Sequence, residues 1–366
     1  MMLVFGLAVL IWAGGRLLGG SVTLRLRLLA GLYAVVLGLT FVLPLGHPLR
    51  VALGGDAVIW AVLGGVVALV LGYRAVLRVL RDKAKVKAEA DVAAEHTPPP
   101  GQMSDSELTR YARHIVMREI GGMGQKRLKA ARVLVVGAGG LGAPALQYLA
   151  AAGVGTIGIV DDDVVDLGNL QRQVIHTDDR IGMAKVFSAE IALRALNPTV
   201  EVRPYQRRLS ADDAEALIAD YDIVLDGTDN FDTRYLVNRA AVAAGVPLVS
   251  GALSQWEGQL SVFDPKAGAP CYQCIFPAAP AAELAPSCAE AGVLGPLPGV
   301  MGAMMAVETV KLITRAGHAA RGDLVIYDAL WGETRKITLT PRPDCPVCGG
   351  QPMVEDAPPV PTSSKG

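Results

Sequence analysis

A glycine-rich turn at residues 137–142 stands at the spacing of a phosphate-binding site. It follows an apolar β-type run at 133–136 and precedes a helical segment at 143–152, after which a second β-run at 156–160 ends at Asp161. Such glycines let the backbone approach a phosphate, and the N-terminus of the helix supplies free N–H groups. An acid about twenty residues further on suits a ribose hydroxyl. Taken alone, this unit predicts a dehydrogenase that binds NAD.

The basic residues after this acid argue against a dinucleotide cofactor. Arg172 follows the acid closely, and Lys185 comes soon after it. An NAD site needs no such cations, whereas cleavage between the α- and β-phosphates of a triphosphate spreads negative charge that cations must hold. The sequence therefore favours ATP.

The motifs that surround these cations resemble one enzyme family. The Gly-x-Gly-Gly-x-Gly turn, the Asp-x-Asp at 161–163, the Asn-Leu-x-Arg-Gln at 169–173 and Lys185 occur in the order found in the MoeB/ThiF/HesA family. These are ubiquitin-activating-like adenylyltransferases, and the resemblance is closest to the MoeB branch. It covers about residues 104–351 and implies an ATP-dependent nucleotidyltransferase.

The resemblance also implies the residues of the ATP site. In that reading Gly140 lies closest to the phosphates, Asp161 holds the ribose, and Arg172 and Lys185 hold the triphosphate. Asp229 would hold Mg²⁺, which takes one or two carboxylates plus phosphate oxygens. The complete set of implied ATP-binding residues is Gly137, Gly139, Gly140, Gly142, Asp161, Asp163, Asn169, Leu170, Gln171, Arg172, Lys185, Asp229 and Asn230.

A capping box at Ser104 predicts a helix that runs to about Glu119. It carries Arg113, which the resemblance matches to an arginine that reaches the ATP of the partner subunit in a homodimer. Arg110 is a weaker candidate for that role. An isolated basic residue here would otherwise belong to a solvated helix face.

The implied reaction is adenylylation of the C-terminal glycine of a small ubiquitin-fold sulfur carrier, resembling MoaD, for molybdenum cofactor biosynthesis. Its carboxylate is ionised at neutral pH, so no general base is needed, and positioning and charge stabilisation carry the catalysis. Two alternatives stay open from the sequence. One is a ThiF-like enzyme of thiamine biosynthesis with a ThiS-like carrier, and the other is a membrane-tethered, nucleotide-binding scaffold without turnover.

Two Cys-x-x-Cys pairs predict a structural zinc site. Cys271 and Cys274 form the first pair, and Cys345 and Cys348 form the second. Four thiolates make a closed tetrahedral set for Zn²⁺, and the long gap means that the fold must bring the pairs together. A redox dithiol would need only one pair in a thioredoxin-like context, which the sequence lacks.

Cys288 is the fifth cysteine and has no partner in this count. An inert thiol is the ordinary reading of a lone cysteine. The resemblance offers the alternative of a cysteine that takes up the activated group or sulfur after adenylation, without serving adenylation itself. The residues alone do not choose between these readings.

Composition and hydropathy divide the chain. We predict a transmembrane region at 1–81, a linker at 82–103 whose first half is helical, an adenylyltransferase domain at 104–351 and a disordered tail at 352–366. The fold class is α/β: a doubly wound, Rossmann-like, mostly parallel sheet with an antiparallel extension and a zinc site, preceded by two to three transmembrane helices. A Met-rich helix at 298–313 is predicted to pack in the core or at a dimer interface.

Three apolar runs, at 1–15, 28–46 and 51–73, underlie the membrane prediction. About twenty apolar residues are needed for a span, so the second and third qualify, while the first is short. Basic residues cluster between the first two runs and after the third. The positive-inside rule then predicts a multi-pass protein of the inner, cytoplasmic membrane with its catalytic domain in the cytoplasm. The net charge of −1 disfavours nucleic acid as a partner.

Overall fold

The structure is a computed structural model that describes residues 2–17, 19, 21–54, 56–94, 102–280 and 291–349. The chain forms two compact units, Met1–Thr97 and Pro98–Gly366. The predicted tail at 352–366 and Cys288 lie outside the described residues.

The first unit is helical. Its helices are α1 (Met2–Leu17), α2 (Val22–Val42), α3 (Pro48–Ala52) and α4 (Ala57–Ala94). Val4, Val36 and Trp60 form a small buried cluster, and the hydroxyl of Tyr33 on α2 donates to the carbonyl of Trp60 at 2.7 Å. Asp56 accepts a hydrogen bond from the N–H of Val58, so this acid caps the start of α4.

Two helices of this unit are long and apolar enough to cross a membrane by length and composition. They are α2, with a mean hydropathy of 1.7, and the stretch Ala57–Arg81 of α4, with 1.9. Helix α1 is also apolar but shorter. The apolar faces of these helices are largely exposed, which is unfavourable in water. Helix α4 continues to Ala94, as predicted for the first half of the linker, because no breaker precedes Pro98.

The second unit is built on one eight-stranded sheet. Its strands are β1 (Arg132–Val136), β2 (Thr156–Val160), β3 (Glu201–Tyr205), β4 (Ile223–Asp226), β5 (Leu248–Leu253), β6 (Glu257–Phe263), β7 (Asp323–Asp328) and β8 (Glu333–Thr338), in the spatial order 3-2-1-4-5-6-7-8. Strands β1 to β5 pair in parallel, and β6 to β8 continue the sheet in antiparallel pairing. The predicted fold class, with its antiparallel extension, is confirmed.

The strand order fixes where a ligand can bind. The order reverses between β1 and β4, which are neighbours in the sheet with Val136 beside Asp226. In open α/β sheets the carboxyl ends of the strands at such a switch point form the ligand crevice. The buried strands β1 and β2 read as near-continuous apolar runs because helices cover both faces.

The remaining helices cover the sheet. They are α5 (Asp105–Arg110), α6 (Ala112–Ile115), α7 (Gly121–Ala130), α8 (Gly142–Ala152), α9 (Lys185–Leu196), α10 (Ala214–Ala219), α11 (Phe231–Ala244), α12 (Tyr272–Ile275) and α13 (Pro296–Thr314). Helix α13 is the Met-rich helix, and Met301 and Met305 are fully buried, so its packing in the core is confirmed. It is also long and apolar enough for a span, with a mean hydropathy of 1.3, but half of it is buried within the unit.

The predicted single helix from Ser104 to about Glu119 was wrong in length. Its capping box is present, with Ser104 accepting from the N–H of Glu107, but the helix breaks at Tyr111. Tyr111 is buried, and its hydroxyl lies 3.1 Å from Thr199 Oγ1 and accepts from Asn197 Nδ2 at 2.7 Å. This long-range anchor turns the chain away from a continuous helix.

Candidate active site

A cavity of about 1080 Å³ opens at the β1–β4 switch point. On one side it is lined by the glycine turn and the acids that follow β2. On the other side it is lined by the turn after β4 and by residues of β5 and β6. The volume is at the upper end for a small-molecule site, so it can take a nucleotide and part of a second ligand.

The glycine turn is shaped by close packing. Gly137 has φ of +96°, which favours glycine, and a Cβ on Gly142 would overlap the carbonyl of Gly137. Gly139 and Gly140 line the cavity. The first turn of α8 has no side-chain cap. Its N–H groups and the positive end of its dipole therefore suit a phosphate group.

Asp161 at the end of β2 is tied to the glycine turn. Its Oδ2 accepts from the N–H of Ala138 at 2.7 Å, and its Oδ1 accepts from the N–H of Asp163 at 2.8 Å. Burial raises the pKa of the Asp161 carboxyl, although these hydrogen bonds and the charge of Lys185 act in the opposite direction. The carboxyl lines the cavity at the position that suits a ribose hydroxyl.

Lys185 is a buried cation at the cavity wall. Its side chain is only 5% exposed, and its Nζ lies 2.7 Å from Asp163 Oδ2. The backbone N–H of Lys185 also donates to the carbonyl of Asp163. Asp163 therefore fixes both the start of α9 and the ammonium group of Lys185. An ammonium held at the edge of a phosphate-sized cavity can stabilise charge on a triphosphate.

Arg172 also lines the cavity, and Asn169 orients it. The guanidinium donates to Asn169 Oδ1 at 2.8 Å and to the carbonyl of Gly168 at 3.2 Å. Asn169, Leu170 and Gln171 are not part of the cavity wall. The structure thus gives Asn169 a supporting contact with Arg172, where the sequence predicted a direct contact with nucleotide.

The turn after β4 brings Asp229 to the opposite wall. Asp229 is exposed toward the cavity, and its carboxylate accepts no hydrogen bond from the residues that the structure describes. Asn230 caps α11, because its Oδ1 accepts from the N–H of Thr233 at 2.9 Å. A free carboxylate at this wall fits the ligand set of Mg²⁺ alongside phosphate oxygens.

The four predicted zinc ligands come together. Their sulfur atoms all lie within 4.8 Å of one another, and three separations are 3.9 Å for Cys271–Cys274, 3.6 Å for Cys271–Cys345 and 3.3 Å for Cys274–Cys348. Zn–S bonds of about 2.3 Å in a tetrahedron require S–S separations of roughly 3.8 Å. The cluster is buried and could hold a metal ion with a closed set of four ligands.

Hydrogen bonds favour a thiolate at Cys345, whereas burial raises the pKa of Cys271 to about 11 and also raises the pKa of Cys348. Burial opposes ionisation of Cys345, but the N–H groups of Cys348 and Val347 lower its pKa to about 7. The N–H of Arg342 lies 3.4 Å from the sulfur of Cys274. N–H donors around sulfur are the surroundings of metal-bound thiolates, which must be deprotonated to bind.

Arg113 lies on α6, exposed and away from the cavity of its own chain. Arg110, in contrast, donates to the carbonyl of Leu196 at 2.9 Å. In the described part of the chain Arg113 makes no ion pair, so its side chain is available to another molecule.

The stretch of the chain that contains the site matches a known protein family. The ThiF family model matches residues 111–347. The chain belongs to the ThiF family. The predicted membership of the MoeB/ThiF/HesA group and the predicted enzyme class, an ATP-dependent adenylyltransferase, are confirmed.

Several named proteins are similar in sequence to this chain. The sulfur carrier protein adenylyltransferase of Thermus thermophilus is 49% identical over 250 residues, which are 67% of this chain and 92% of that protein. The SAMP-activating enzyme E1 of Haloferax volcanii is 49% identical over 253 residues, or 69% of this chain and 93% of the other. The adenylyltransferase and sulfurtransferase MOCS3 of Bos taurus is 51% identical over 260 residues, and the match spans 71% of this chain and 57% of that protein.

Solved structures support the fold of the second unit. The crystal structure of E. coli MccB has a TM-score of 0.60 at 22% identity, covering 69% of this chain and 75% of that one. The structure of E. coli MccB with ATP has a TM-score of 0.57 at 22% identity, covering 66% and 74%. At this identity the likeness concerns the fold alone.

Two residues that line the cavity were not predicted from the sequence. Gln173 is buried and lines the cavity, and its only signal was the last position of the Asn-Leu-x-Arg-Gln motif. Arg234 is also buried at the wall, where its Nη1 lies 3.3 Å from the buried carboxylate of Asp226. A charged residue four positions into a helix gave no sign of this, because Arg234 meets Asp226 only through the way in which the turn after β4 leads into α11.

Proposed function

We propose that the protein adenylylates the C-terminal glycine of a small ubiquitin-fold sulfur carrier, using ATP and Mg²⁺, for molybdenum cofactor biosynthesis. The observation that carries this proposal is the cavity at the switch point. It gathers Arg172 and Lys185 on one wall and Asp229 on the other, and it is larger than a nucleotide requires. The names of relatives about half identical to this chain support the carrier as second substrate.

In the proposed reaction ATP lies over the glycine turn, with its ribose at Asp161. One carboxylate oxygen of the carrier attacks the α-phosphorus, the bond from that phosphorus to the bridging oxygen breaks, and pyrophosphate leaves with the electron pair. The product is a carrier acyl-adenylate. Arg172 and Lys185 stabilise charge that develops on the phosphates, and Mg²⁺ held through Asp229 would neutralise part of it.

The cavity has room for a narrow peptide tail in addition to a nucleotide. Its lining includes the small residues Ala252, Ala278, Ala291 and Gly292, together with Gln255. Small side chains leave room for an extended backbone without large side chains of its own. This lining supports a substrate that ends in Gly-Gly.

We propose zinc for the four-cysteine cluster. Its buried, closed ligand set supports a structural role, because a catalytic zinc ion keeps an open coordination position. The cluster pins residues 271–274 to residues 345–348, so the ion would hold the end of the domain in place.

We propose a homodimer in which Arg113 serves the partner's ATP. The exposed position of Arg113, away from its own cavity, supports this. Mixing Arg113→Ala subunits with Lys185→Ala subunits tests it, because a mixed dimer would contain one site with both residues intact. We expect activity from the mixture but not from either variant alone. Inactive mixtures with confirmed subunit exchange would contradict the proposal.

We propose that the first unit anchors the enzyme in the inner membrane with the catalytic unit in the cytoplasm. Two helices of sufficient length and hydropathy support the anchor. The basic residues in the last part of the second helix's apolar stretch and just after it support a cytoplasmic exit. They are Arg74, Arg78, Arg81, Lys83, Lys85 and Lys87.

Carrier-dependent exchange of labelled pyrophosphate into ATP tests the proposed function. We expect exchange with a MoaD-like carrier and none with the same carrier lacking its Gly-Gly end. Exchange that occurs only with a ThiS-like carrier would instead assign the enzyme to thiamine biosynthesis. Absence of exchange with every carrier, while ATP still binds, would leave a nucleotide-binding scaffold and refute the enzyme proposal.

A further inference from the structure

Arg234 joins three parts of the cavity floor. On α11, its Nη1 lies 3.3 Å from Asp226 Oδ2 and 3.2 Å from Ser250 Oγ. Its Nη2 donates to the carbonyl of Gly251 at 2.8 Å and to the carbonyl of Thr228. One guanidinium thereby connects the end of β4, the strand β5 and the turn that carries Asp229.

This ion pair is unusually buried for a structural contact. Asp226 is fully buried, and Arg234 is 6% exposed. Removing two charges from water is costly, and well-packed apolar residues often stabilise such a position as well or better. The stability of the sheet alone therefore does not account for a charged pair at this place.

The contacts hold the Asp229 turn from both sides. Before Asp229, the N–H and hydroxyl of Thr228 donate to Asp226 Oδ1 at 3.0 and 2.6 Å, while its carbonyl accepts from Arg234. After Asp229, Asn230 is fixed as the cap of α11. Asp229 itself is left exposed on the cavity wall.

We propose that Arg234 is a positioning residue, which presets the Asp229 carboxylate for the metal–triphosphate through the turn at Thr228. The inference rests on the proposed function, because it assigns Asp229 to Mg²⁺. It adds a residue that does not touch the metal but fixes the carboxylate that would hold it.

The substitution Arg234→Lys can distinguish a role in positioning Asp229 from a role in folding. Lysine keeps the positive charge beside Asp226 but lacks the rigid fork that reaches two carbonyls at once. We expect Arg234→Lys to fold, and to raise the Mg²⁺ concentration for half-maximal activity about tenfold, as the loss of a charge-assisted hydrogen bond predicts. Arg239→Lys is the matched control, since Arg239 is exposed on the same helix, and it should leave that concentration unchanged.

The decisive measurement is a double-mutant cycle with Asp229→Asn on the full-length protein. Mg²⁺ dependence is measured in pyrophosphate exchange and, separately, in ATP binding by calorimetry. If Arg234 acts through Asp229, Arg234→Lys has no further effect on the Mg²⁺ requirement in the Asp229→Asn background. Additive effects, or an unchanged Mg²⁺ requirement in Asp229→Asn alone, would overturn the inference.

A second variant covers the case in which Arg234→Lys does not fold. Ser250→Ala removes a hydroxyl that contacts both charges and leaves the ion pair, so it should raise the Mg²⁺ requirement less but in the same direction. An unchanged requirement would count against positioning. Failure of the proposed function is distinguishable, because wild-type protein would then lack carrier-dependent exchange while the calorimetric cycle still reports on Arg234.

Discussion

The ammonium group of Lys185 lies 2.7 Å from the carboxylate of Asp163, whose backbone N–H in turn donates to Asp161. One residue thus connects the acid that we propose for the ribose with the cation that we propose for the phosphates. Because the Lys185 charge already has a partner, ATP would meet a cation that is fixed in place before binding, and little reorganisation would be needed when charge develops.

Lys185→Ala should reduce carrier-dependent pyrophosphate exchange by about a hundred- to a thousandfold, since it removes a preorganised charge aimed at phosphate. The fold should persist, because the Asp163 side chain left behind is 66% exposed and can be hydrated. Steady-state exchange and thermal unfolding measure the two effects. Near-normal exchange would contradict the assignment of Lys185 to the triphosphate.

Arg172→Ala should cause a loss of similar size, about a hundred- to a thousandfold in exchange rate. Asn169→Ala should cause a smaller loss, because it removes only the acceptor that orients the guanidinium of Arg172. The rank order of the two variants in the same assay is the test. A larger effect of Asn169→Ala would mean that Asn169 contacts the nucleotide directly, as the sequence motif predicted.

Cys345→Ser should lose bound zinc and lower the stability of the catalytic unit, because the binding energy of structural zinc contributes to folding. Metal analysis and the midpoint of thermal unfolding measure these effects. The intact protein should contain one zinc ion per chain, removable by a strong chelator with the same loss of stability. Wild-type protein without zinc would refute the proposed metal.

His176 should make stability depend on pH. It is buried between the carbonyl of Ala138 at 3.0 Å and the hydroxyl of Ser188 at 2.9 Å, and burial lowers its pKa below the usual 6.5. The unfolded chain therefore takes up a proton near pH 6.5 while the native state stays neutral. Stability should be full above that pH and fall as pH decreases toward the lower native pKa.

Denaturant unfolding between pH 5 and pH 8 measures this dependence. His176→Gln should flatten it in that window, because glutamine keeps hydrogen-bonding atoms without a proton that titrates there. An identical slope in the variant would exclude His176 as the titrating group.

A protein that begins at Gln102 should be soluble and fully active in adenylation, since every residue of the cavity and the cysteine cluster lies beyond that point. The full-length protein should remain with membranes after carbonate extraction, as integral spans do. Folded but inactive truncated protein would show that the first unit takes part in catalysis or assembly. Reporter fusions placed after Tyr73 check the cytoplasmic orientation independently.

Local signals allowed much of the cavity wall to be predicted. The glycine turn, Asp161 and Lys185 stand beside strands and helices whose apolar patterns are strong, and those elements begin and end within a few residues of the prediction. The break at Tyr111 and the Asp226–Arg234 pair could not be predicted in this way. Tyr111 contacts Thr199 and Asn197, which lie far along the chain. Arg234 meets Asp226 only because α11 folds back over the end of β4, and it meets Ser250 because β5 pairs with β4. No local pattern encodes these contacts.

A metal ion in the cysteine cluster would also affect the free energy of the unfolded state of this domain. The cluster joins positions 74 residues apart along the chain, and the intervening segment contains α13 and the strands β7 and β8. A bound metal would act as a cross-link that closes this loop. Chain-entropy arguments assign about 4 kcal/mol to closing a loop of this length in the unfolded state. Part of the stability of the antiparallel end of the sheet would then come from the lower conformational entropy of the denatured chain. The rest would come from contacts in the native state.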